Sequence, residues 1–275
     1  AKQQPASRPK RVSVQIHPFG EGSKLLITRD VTAIEQADAM RRDFVANVSH
    51  EIRTPLTVLA GFVETMQDLP LDDAERKRYL ELMASQARRM QSLVADLLTL
   101  SQLEGSPPPG VEEAVPAQAM MQTLQLDAEA LSKLVTAGKD PHQLKFSPVP
   151  AVEFLGAGAE LQSALGNLVQ NAIRYTPAGG AIDVSLTVLD NGRAIFRVKD
   201  SGPGIPAEHL PRLTERFYRV DKSRSRETGG TGLGLAIVKH VVQRHGGDLG
   251  IESTVGEGST FSITFPSHRV RRVKG

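Results

Sequence analysis

The stretch Phe44–Met66, FVANVSHEIRTPLTVLAGFVETM, decides how the first third of the chain folds. Its apolar residues Val45, Val48, Ile52, Pro55, Leu59, Phe62 and Met66 recur in alternating steps of three and four, which aligns them as one stripe on a helix. A second run, Leu80, Met83, Ala87, Met90, Val94 and Leu97, repeats the pattern after the polar, proline-containing stretch Gln67 to Asp73. The pair predicts an antiparallel helical hairpin. Two helices with one stripe each cannot enclose it alone, so the pattern also predicts a second copy and a dimeric four-helix bundle.

On the same helical wheel the stripe lies within roughly 60° of its mean direction, while His50 falls at about 200° from Val48. The imidazole is therefore expected on the outside of the helix. An ordinary surface histidine is the bland alternative, and its neighbours argue against it. Glu51 can accept a hydrogen bond from one ring nitrogen, leaving the other with its lone pair available to attack phosphorus. Thr54, one turn further on, can orient a water. Pro55 sits inside a periodic helix at a typical cost of about 3 kcal/mol, taking the helical donor away from the Glu51 carbonyl and bending the axis beside His50.

Outward from this hairpin the organisation changes twice. Upstream, Val12, Val14 and Ile16 alternate before a Gly20-Glu21-Gly22 turn and a second strand-like run, Leu25 to Ile27. Two strands cannot form a stable domain, so residues 1–37 read as the truncated end of a larger one. Residues 38–104 hold the hairpin. Gly105-Ser106-Pro107-Pro108-Pro109-Gly110 cannot continue a helix, and 105–110 is expected to be a linker that permits domain motion. From 111 to 268, helical stretches (119–136, 161–175, 235–244) mingle with alternating strands (182–189, 194–199, 260–265), which predicts an α/β sandwich and an α+β multidomain chain. The basic run Arg269 to Lys274, within 269–275, reads as a solvated tail.

Composition bounds the function classes. At 275 residues the chain has room for two domains. Its 40% hydrophobic and 23% charged content is that of a globular protein, and no apolar run approaches the roughly 18 residues of a membrane span. A net charge of +2 does not suggest nucleic acid as a direct partner. With no cysteine there is neither a disulfide frame nor a thiolate site, which fits a reducing cytoplasm.

The second domain holds the makings of a nucleotide site without a Walker loop. Leu161, Leu165, Leu168 and Ala172 form one apolar line on a predicted helix, while Asn167, Asn171, Arg174 and Tyr175 gather on another face. An amide oxygen can coordinate Mg2+, a guanidinium can pair with phosphate, and an aromatic ring can cover a base. Asp200-Ser201-Gly202-Pro203-Gly204-Ile205 sets a carboxylate beside glycines that let the backbone approach a ligand, although by itself it could be a plain turn. Gly229-Gly230-Thr231-Gly232-Leu233-Gly234 opens a helix whose unpaired N–H groups suit an anion. Arg219, Lys222, Arg224 and Arg226 supply positive charge between these loops. For the last three, a solvated loop is the simpler reading.

These blocks, in this order, resemble those of the sensor histidine kinases of two-component systems, and the resemblance spans residues 44 to 265. Phe44–Thr57 is similar to the family's H box, the 167–175 face to its N box, 200–205 to G1, 215–221 to F and 229–234 to G2. The resemblance implies a HisKA dimerisation domain followed by a Bergerat, GHKL-type ATP-binding domain. It implies His50 as phosphoacceptor, Glu51 as acid/base partner, Thr54 as the residue positioning water for dephosphorylation, and Asn171 as the holder of Mg2+. Asp200 would select adenine. Asn167, Arg174, Tyr175, Gly202, Gly204, Ile205, Arg219, Gly230, Thr231, Gly232, Leu233 and Gly234 would complete the ATP site. Within the family, residues 217–226 and 251–256 look most like the phosphate-regulon (PhoR-type) branch.

The implied activity is Mg-ATP-dependent autophosphorylation of His50 and transfer to an aspartate in the receiver domain of a response regulator (PhoB-like). The implied assembly is a homodimer. The run Leu25 to Thr32 resembles the last strand of a PAS sensor domain, placing the sensing part and any inner-membrane anchor upstream and this portion in the cytoplasm. Two rival readings are a degenerate dimeric scaffold, which predicts damaged boxes, and an ATP-driven machine of the gyrase or chaperone kind, which predicts no histidine-bearing hairpin.

Overall fold

The computed structural model describes residues 10–19, 22–220 and 230–273. Gly20, Glu21, Asp221, Lys222, Arg224, Arg226, Gly229 and Lys274 from the sequence reading lie outside the described residues. The chain divides into two compact units, residues 1–86 and 87–275.

In the first unit, β1 (Val12–Phe19) and β2 (Ser23–Asp30) pair antiparallel along their whole length, from Val12↔Asp30 to Phe19↔Ser23. Every residue of both strands is exposed, so the hairpin has no core face of its own. Arg11 ties it to the next element, its N–H donating to Thr32 Oγ1 at 2.8 Å and its guanidinium to Glu35 at 2.6 Å.

Helix α1 (Thr32–Asp68) runs unbroken through Pro55, which is buried. α2 (Asp73–Gly105) begins with a reciprocal cap: the Glu75 N–H donates to Asp72 Oδ1 at 2.7 Å, and the Asp72 N–H to Glu75 at 3.1 Å. The hairpin predicted from the two apolar runs is present, with Phe62 against Tyr79 at 5.4 Å between ring centroids. Within the single chain much of the stripe has water for a neighbour. Val45 is 57% exposed and Leu80 51%.

The second unit is a two-layer sandwich. Its five-stranded sheet has the order β4 (Gln143–Phe146), β6 (Ala181–Val188), β7 (Ala194–Asp200), β9 (Gly258–Phe265), β8 (Asp248–Thr254). The β4–β6 pair is parallel and the others antiparallel. One face is buried: Ile182, Val184 and Leu186, then Phe196 and Val198, then Ile263 and Phe265. The alternate residues Asp183, Arg197 and Lys199 are exposed, so the sheet follows the apolar-in, polar-out period of a half-covered antiparallel sheet. Helices α3 (Ala117–Thr136), α4 (Gly158–Tyr175) and α5 (Gly234–Arg244) supply the covering layer, α4 packing against both α3 and α5. Buried His142 ties α3 to the end of α4, one ring nitrogen 2.9 Å from Ser132 Oγ and the other 2.9 Å from the Thr176 carbonyl.

Three segments carry contacts that the sequence did not reveal. In the basic run expected to be a solvated tail, Arg271, Arg272 and Val273 are exposed but Arg269 is not. Arg269 is 8% exposed and donates to the carbonyls of Pro109 (2.8 Å), Leu155 (3.2 Å) and Gly110, while β10 (Val270–Arg272) pairs with β5 (Val152–Leu155). β3 (Ala114–Pro116) completes that small sheet on the other edge of β5.

The linker at 105–110 is not a loose tether either. Besides the two carbonyls held by Arg269, those of Ser106 and Pro107 accept from Arg244 at 2.6 and 2.9 Å. Proline-rich backbone has few donors but intact acceptors, and two guanidinium groups engage them.

Finally, the division between the compact units falls inside α2, between Gln86 and Ala87. The last turns of α2 belong with the sandwich because Leu103 and Glu104 bond to it: Arg244 donates to the Leu103 carbonyl at 2.9 Å, and Arg216 pairs with Glu104. No described helix is long and apolar enough to cross a membrane.

Candidate active site

His50 is exposed on α1, as its wheel position predicts. One turn on, the Thr54 hydroxyl donates to the His50 carbonyl at 3.2 Å, and the Ser49 hydroxyl donates to Val45 at 2.9 Å. Glu51 is half-buried beside it. Pro55 has no N–H for the Glu51 carbonyl, so the helix carries its proline one turn beyond the exposed imidazole.

The second constellation assembles at one end of the sandwich. Asp200 closes β7, is only 6% exposed, and accepts the Gly202 N–H at 2.8 Å. Burial pushes its carboxyl up from the ordinary value, against the pull of the Gly202 and Ser259 N–H groups. Gly202 is wedged between that carboxylate and α4, where a Cβ would lie 2.8 Å from Asp200 Oδ1 and 3.1 Å from the Tyr175 carbonyl. Gly204 has φ +71°, and a Cβ there would meet the Thr254 carbonyl at 2.0 Å. The Ile205 N–H donates to Ser253 Oγ at 2.8 Å, pinning the loop to β8.

The glycine loop before α5 reaches the same α4 face. A Cβ on Gly234 would fall 2.6 Å from Asn167 Oδ1, and one on Gly230 would fall 3.6 Å from the Tyr175 hydroxyl. The Phe217 N–H donates to the Gly232 carbonyl at 2.8 Å, and Arg219 donates to Gly230. Phe217 holds φ 61°, a left-handed conformation unfavourable for an aromatic residue. Thr231 Oγ1 accepts the Leu233 N–H at 3.2 Å, and Leu233 is fully buried.

Four sequence blocks are thus brought into contact by named atoms. Asn171 and Arg174 sit half-buried on the same helix, and Tyr175 is exposed at its end. Among the described residues no group of three or more His, Cys, Asp or Glu is placed to hold a metal. A cation at Asn171 would then take one amide oxygen from the protein and the rest of its shell from phosphates and water, a donor set that fits Mg2+.

Family models match two parts of the chain: the "His Kinase A (phospho-acceptor) domain" over residues 40–106, and the "Histidine kinase-, DNA gyrase B-, and HSP90-like ATPase" over residues 156–269. The chain belongs to the sensor histidine kinase family. It is 48% identical over 97% of its length to the phosphate regulon sensor protein PhoR of Pseudomonas aeruginosa, and spans 59% of that protein. PhoR of Haemophilus influenzae is 36% identical over 94% of this chain, again with 59% of the relative spanned. Among solved structures, the Acinetobacter baumannii histidine kinase AdeS superposes with a TM-score of 0.58 at 25% identity, covering 79% of this chain and 98% of that one. In this chain a histidine-bearing hairpin matched by the phospho-acceptor model accompanies the ATPase-type sandwich.

Two carboxylates bonded to residues of the candidate site's loops were missed in the sequence. Asp96 accepts the Thr231 hydroxyl at 2.6 Å, and Glu104 pairs with Arg216 and lies 3.5 Å from His240. The available signal was a lone carboxylate in a second stripe on α2, Leu93, Asp96, Leu100 and Leu103, again spaced by three and four, whose three leucines are buried.

Proposed function

We propose that this chain is the catalytic portion of a phosphate-responsive sensor kinase that phosphorylates His50 from Mg-ATP and passes the phosphoryl group to an aspartate of a response regulator. The observation that carries the reading is the exposed His50 imidazole on α1, in a chain that also presents the Asn167–Tyr175 face, Asp200 and the glycine loop as one cluster. Asp200 would accept from the adenine amino group, which its partly desolvated carboxylate suits. Arg174, Arg219 and the N–H groups of 230–234 would hold phosphates. Asn171 would bind Mg2+, which supplies neutralisation of charge on the phosphate oxygens. Glu51 would take the proton from the attacking imidazole, and most of the rate would come from positioning, as is usual in phosphoryl transfer.

Exposed apolar residues along both helices support a homodimer, in which a second copy covers the stripe. The P–N bond of phosphohistidine is labile, so it suits relay to a partner's carboxylate more than a stable mark. Thr54 would position water for the reverse, dephosphorylating step. The phosphate stimulus rests on the names of the two relatives, and a PhoB-like partner and attachment to the inner membrane rest on the resemblance to the PhoR-type branch alone.

Incubation with γ-labelled ATP tests the central step. Acid-labile, alkali-stable label that disappears in His50→Gln is expected, whereas label-free turnover points to an ATP-driven machine. Asn171→Ala should abolish nucleotide binding with His50 intact. Transfer from the labelled chain to a PhoB-type receiver, monitored by mass spectrometry, tests the partner.

A further inference from the structure

Asp96 is the one charged member of the Leu93–Asp96–Leu100–Leu103 stripe, and it sits largely out of water. Its carboxylate accepts the Thr231 hydroxyl at 2.6 Å and feels the positive charge of Arg174. Both partners belong to the cluster assigned above to nucleotide. A carboxylate on a loop threonine and an arginine presents what a phosphate oxygen would present there: negative charge and an acceptor. Burial pushes the Asp96 carboxyl up, so the position is held against a desolvation cost, offset by Thr231 and Arg174.

The surroundings make this a docked face, and not a chance contact of one side chain. Two turns on, Glu104 pairs with Arg216 and approaches His240 Nε2 at 3.5 Å, and the Leu103 carbonyl accepts from Arg244 at 2.9 Å. Arg216 immediately precedes Phe217, whose N–H is bonded to the glycine loop, and Arg244 closes α5. The same stretch of α2 therefore touches the loop before α5, the segment before Arg219 and the end of α5.

We propose that Asp96 is a built-in competitor for nucleotide phosphate: the C-terminal part of α2 holds the glycine loop through Thr231, and nucleotide must displace that carboxylate to bind. The proposal rests on the nucleotide reading of Thr231 and Arg174. It makes occupancy of the ATP site and docking of α2 mutually antagonistic. Any signal that shifts this part of α2 then changes ATP affinity, and nucleotide in turn loosens the helix by the same factor.

The apparent affinity of a site available only part of the time falls by the available fraction, so a contact closed nine-tenths of the time weakens binding about tenfold. Calorimetric titration of the full chain with Mg-AMPPNP should therefore show about tenfold tighter binding in both Asp96→Asn, which keeps the shape, and Asp96→Ala. Unchanged affinity in both variants overturns the competitor while leaving the nucleotide site standing. Absence of binding in wild type and variants alike overturns the nucleotide reading and the competitor with it.

A second measurement does not depend on altering Asp96. The chain has no cysteine, so Glu104→Cys/Arg216→Cys gives a single thiol pair across the docked face. Cross-linking by a bifunctional thiol reagent of matching reach should proceed without nucleotide and slow about tenfold at saturating Mg-AMPPNP, as a displaced equilibrium requires. Equal rates with and without nucleotide overturn the proposal.

Discussion

The Arg244 guanidinium engages Glu160 through two hydrogen bonds, at 3.1 and 2.9 Å, and turns its remaining donors to the carbonyls of Leu103, Ser106 and Pro107. Arg244 side-chain atoms are 10% exposed and those of Glu160 21%, so the pair is little screened. Arg244→Ala should destabilise the sandwich by about 2–4 kcal/mol, because it strands a part-buried carboxylate and several acceptors together. Glu160→Gln, which keeps the acceptor, should cost less. Urea unfolding measures the first effect, and faster protease cleavage between Gly105 and Glu113 should accompany it.

Two glycines of the loops proposed to hold nucleotide should separate folding from binding. At Gly204 a Cβ would strike the Thr254 backbone carbonyl at 2.0 Å with φ +71°, whereas at Gly230 it would meet only the Tyr175 hydroxyl at 3.6 Å. Gly204→Ala is expected to destabilise by more than about 3 kcal/mol or to prevent folding. Gly230→Ala should leave the unfolding midpoint within about 0.5 kcal/mol of wild type and weaken nucleotide binding. Thermal unfolding with and without Mg-AMPPNP distinguishes the two.

Asp200 illustrates a site kept at the expense of stability. Its folded-state pKa is raised from 3.8, so its contribution to stability is present below the unfolded value and lost as pH rises through the folded one. At neutral pH the ionised carboxylate is a net burden on the fold. Asp200→Asn should thus unfold no earlier than wild type near neutral pH, and in the same protein bind adenine nucleotides at least about tenfold more weakly, since a hydrogen bond to a charged group contributes roughly 1.5–3 kcal/mol.

His245 gives the opposite pH dependence. It is 1% exposed with Nδ1 2.8 Å from the Val241 carbonyl. Burial pushes its pKa down from 6.5, opposed by Val241 and Glu160 and aided by Arg269 and Arg244. His240 is lowered too, first by burial and then by Arg216, Lys239 and Arg244, with Glu104 opposing. Both contribute stability that is full above 6.5 and lost as pH falls through the folded-state values. Stability should decline as pH falls below about 6.5, and His240→Gln/His245→Gln should flatten that slope.

Sequence reading reached furthest where structure is local. The helix holding Asn167 to Tyr175, the loop after Asp200 and the glycine run before α5 were legible because helical period and glycine spacing act over a few residues. β3, β5 and β10 were not, since each is three or four residues long and finds its partner far along the chain, Ala114 opposite Leu155 and Val270 opposite Phe154. Arg269 read as solvated because charge alone does not reveal that carbonyls from two distant segments await it. The apolar line on α2 was assigned to Leu80, Ala87 and Val94, whereas Leu93, Leu100 and Leu103 are the buried set within the chain. Two stripes on one helix mean two different partners, and period alone does not tell which is which.

The arginine-held carbonyls of 105–110 change what that segment transmits. With its backbone spliced to α5 and to the turn before the last strand, it acts as a splint, carrying torque from the end of α2 straight into the sandwich. A rotation that composition alone would have dissipated in a slack hinge is instead delivered intact, and detaching the two guanidinium groups becomes the toll for any large swing.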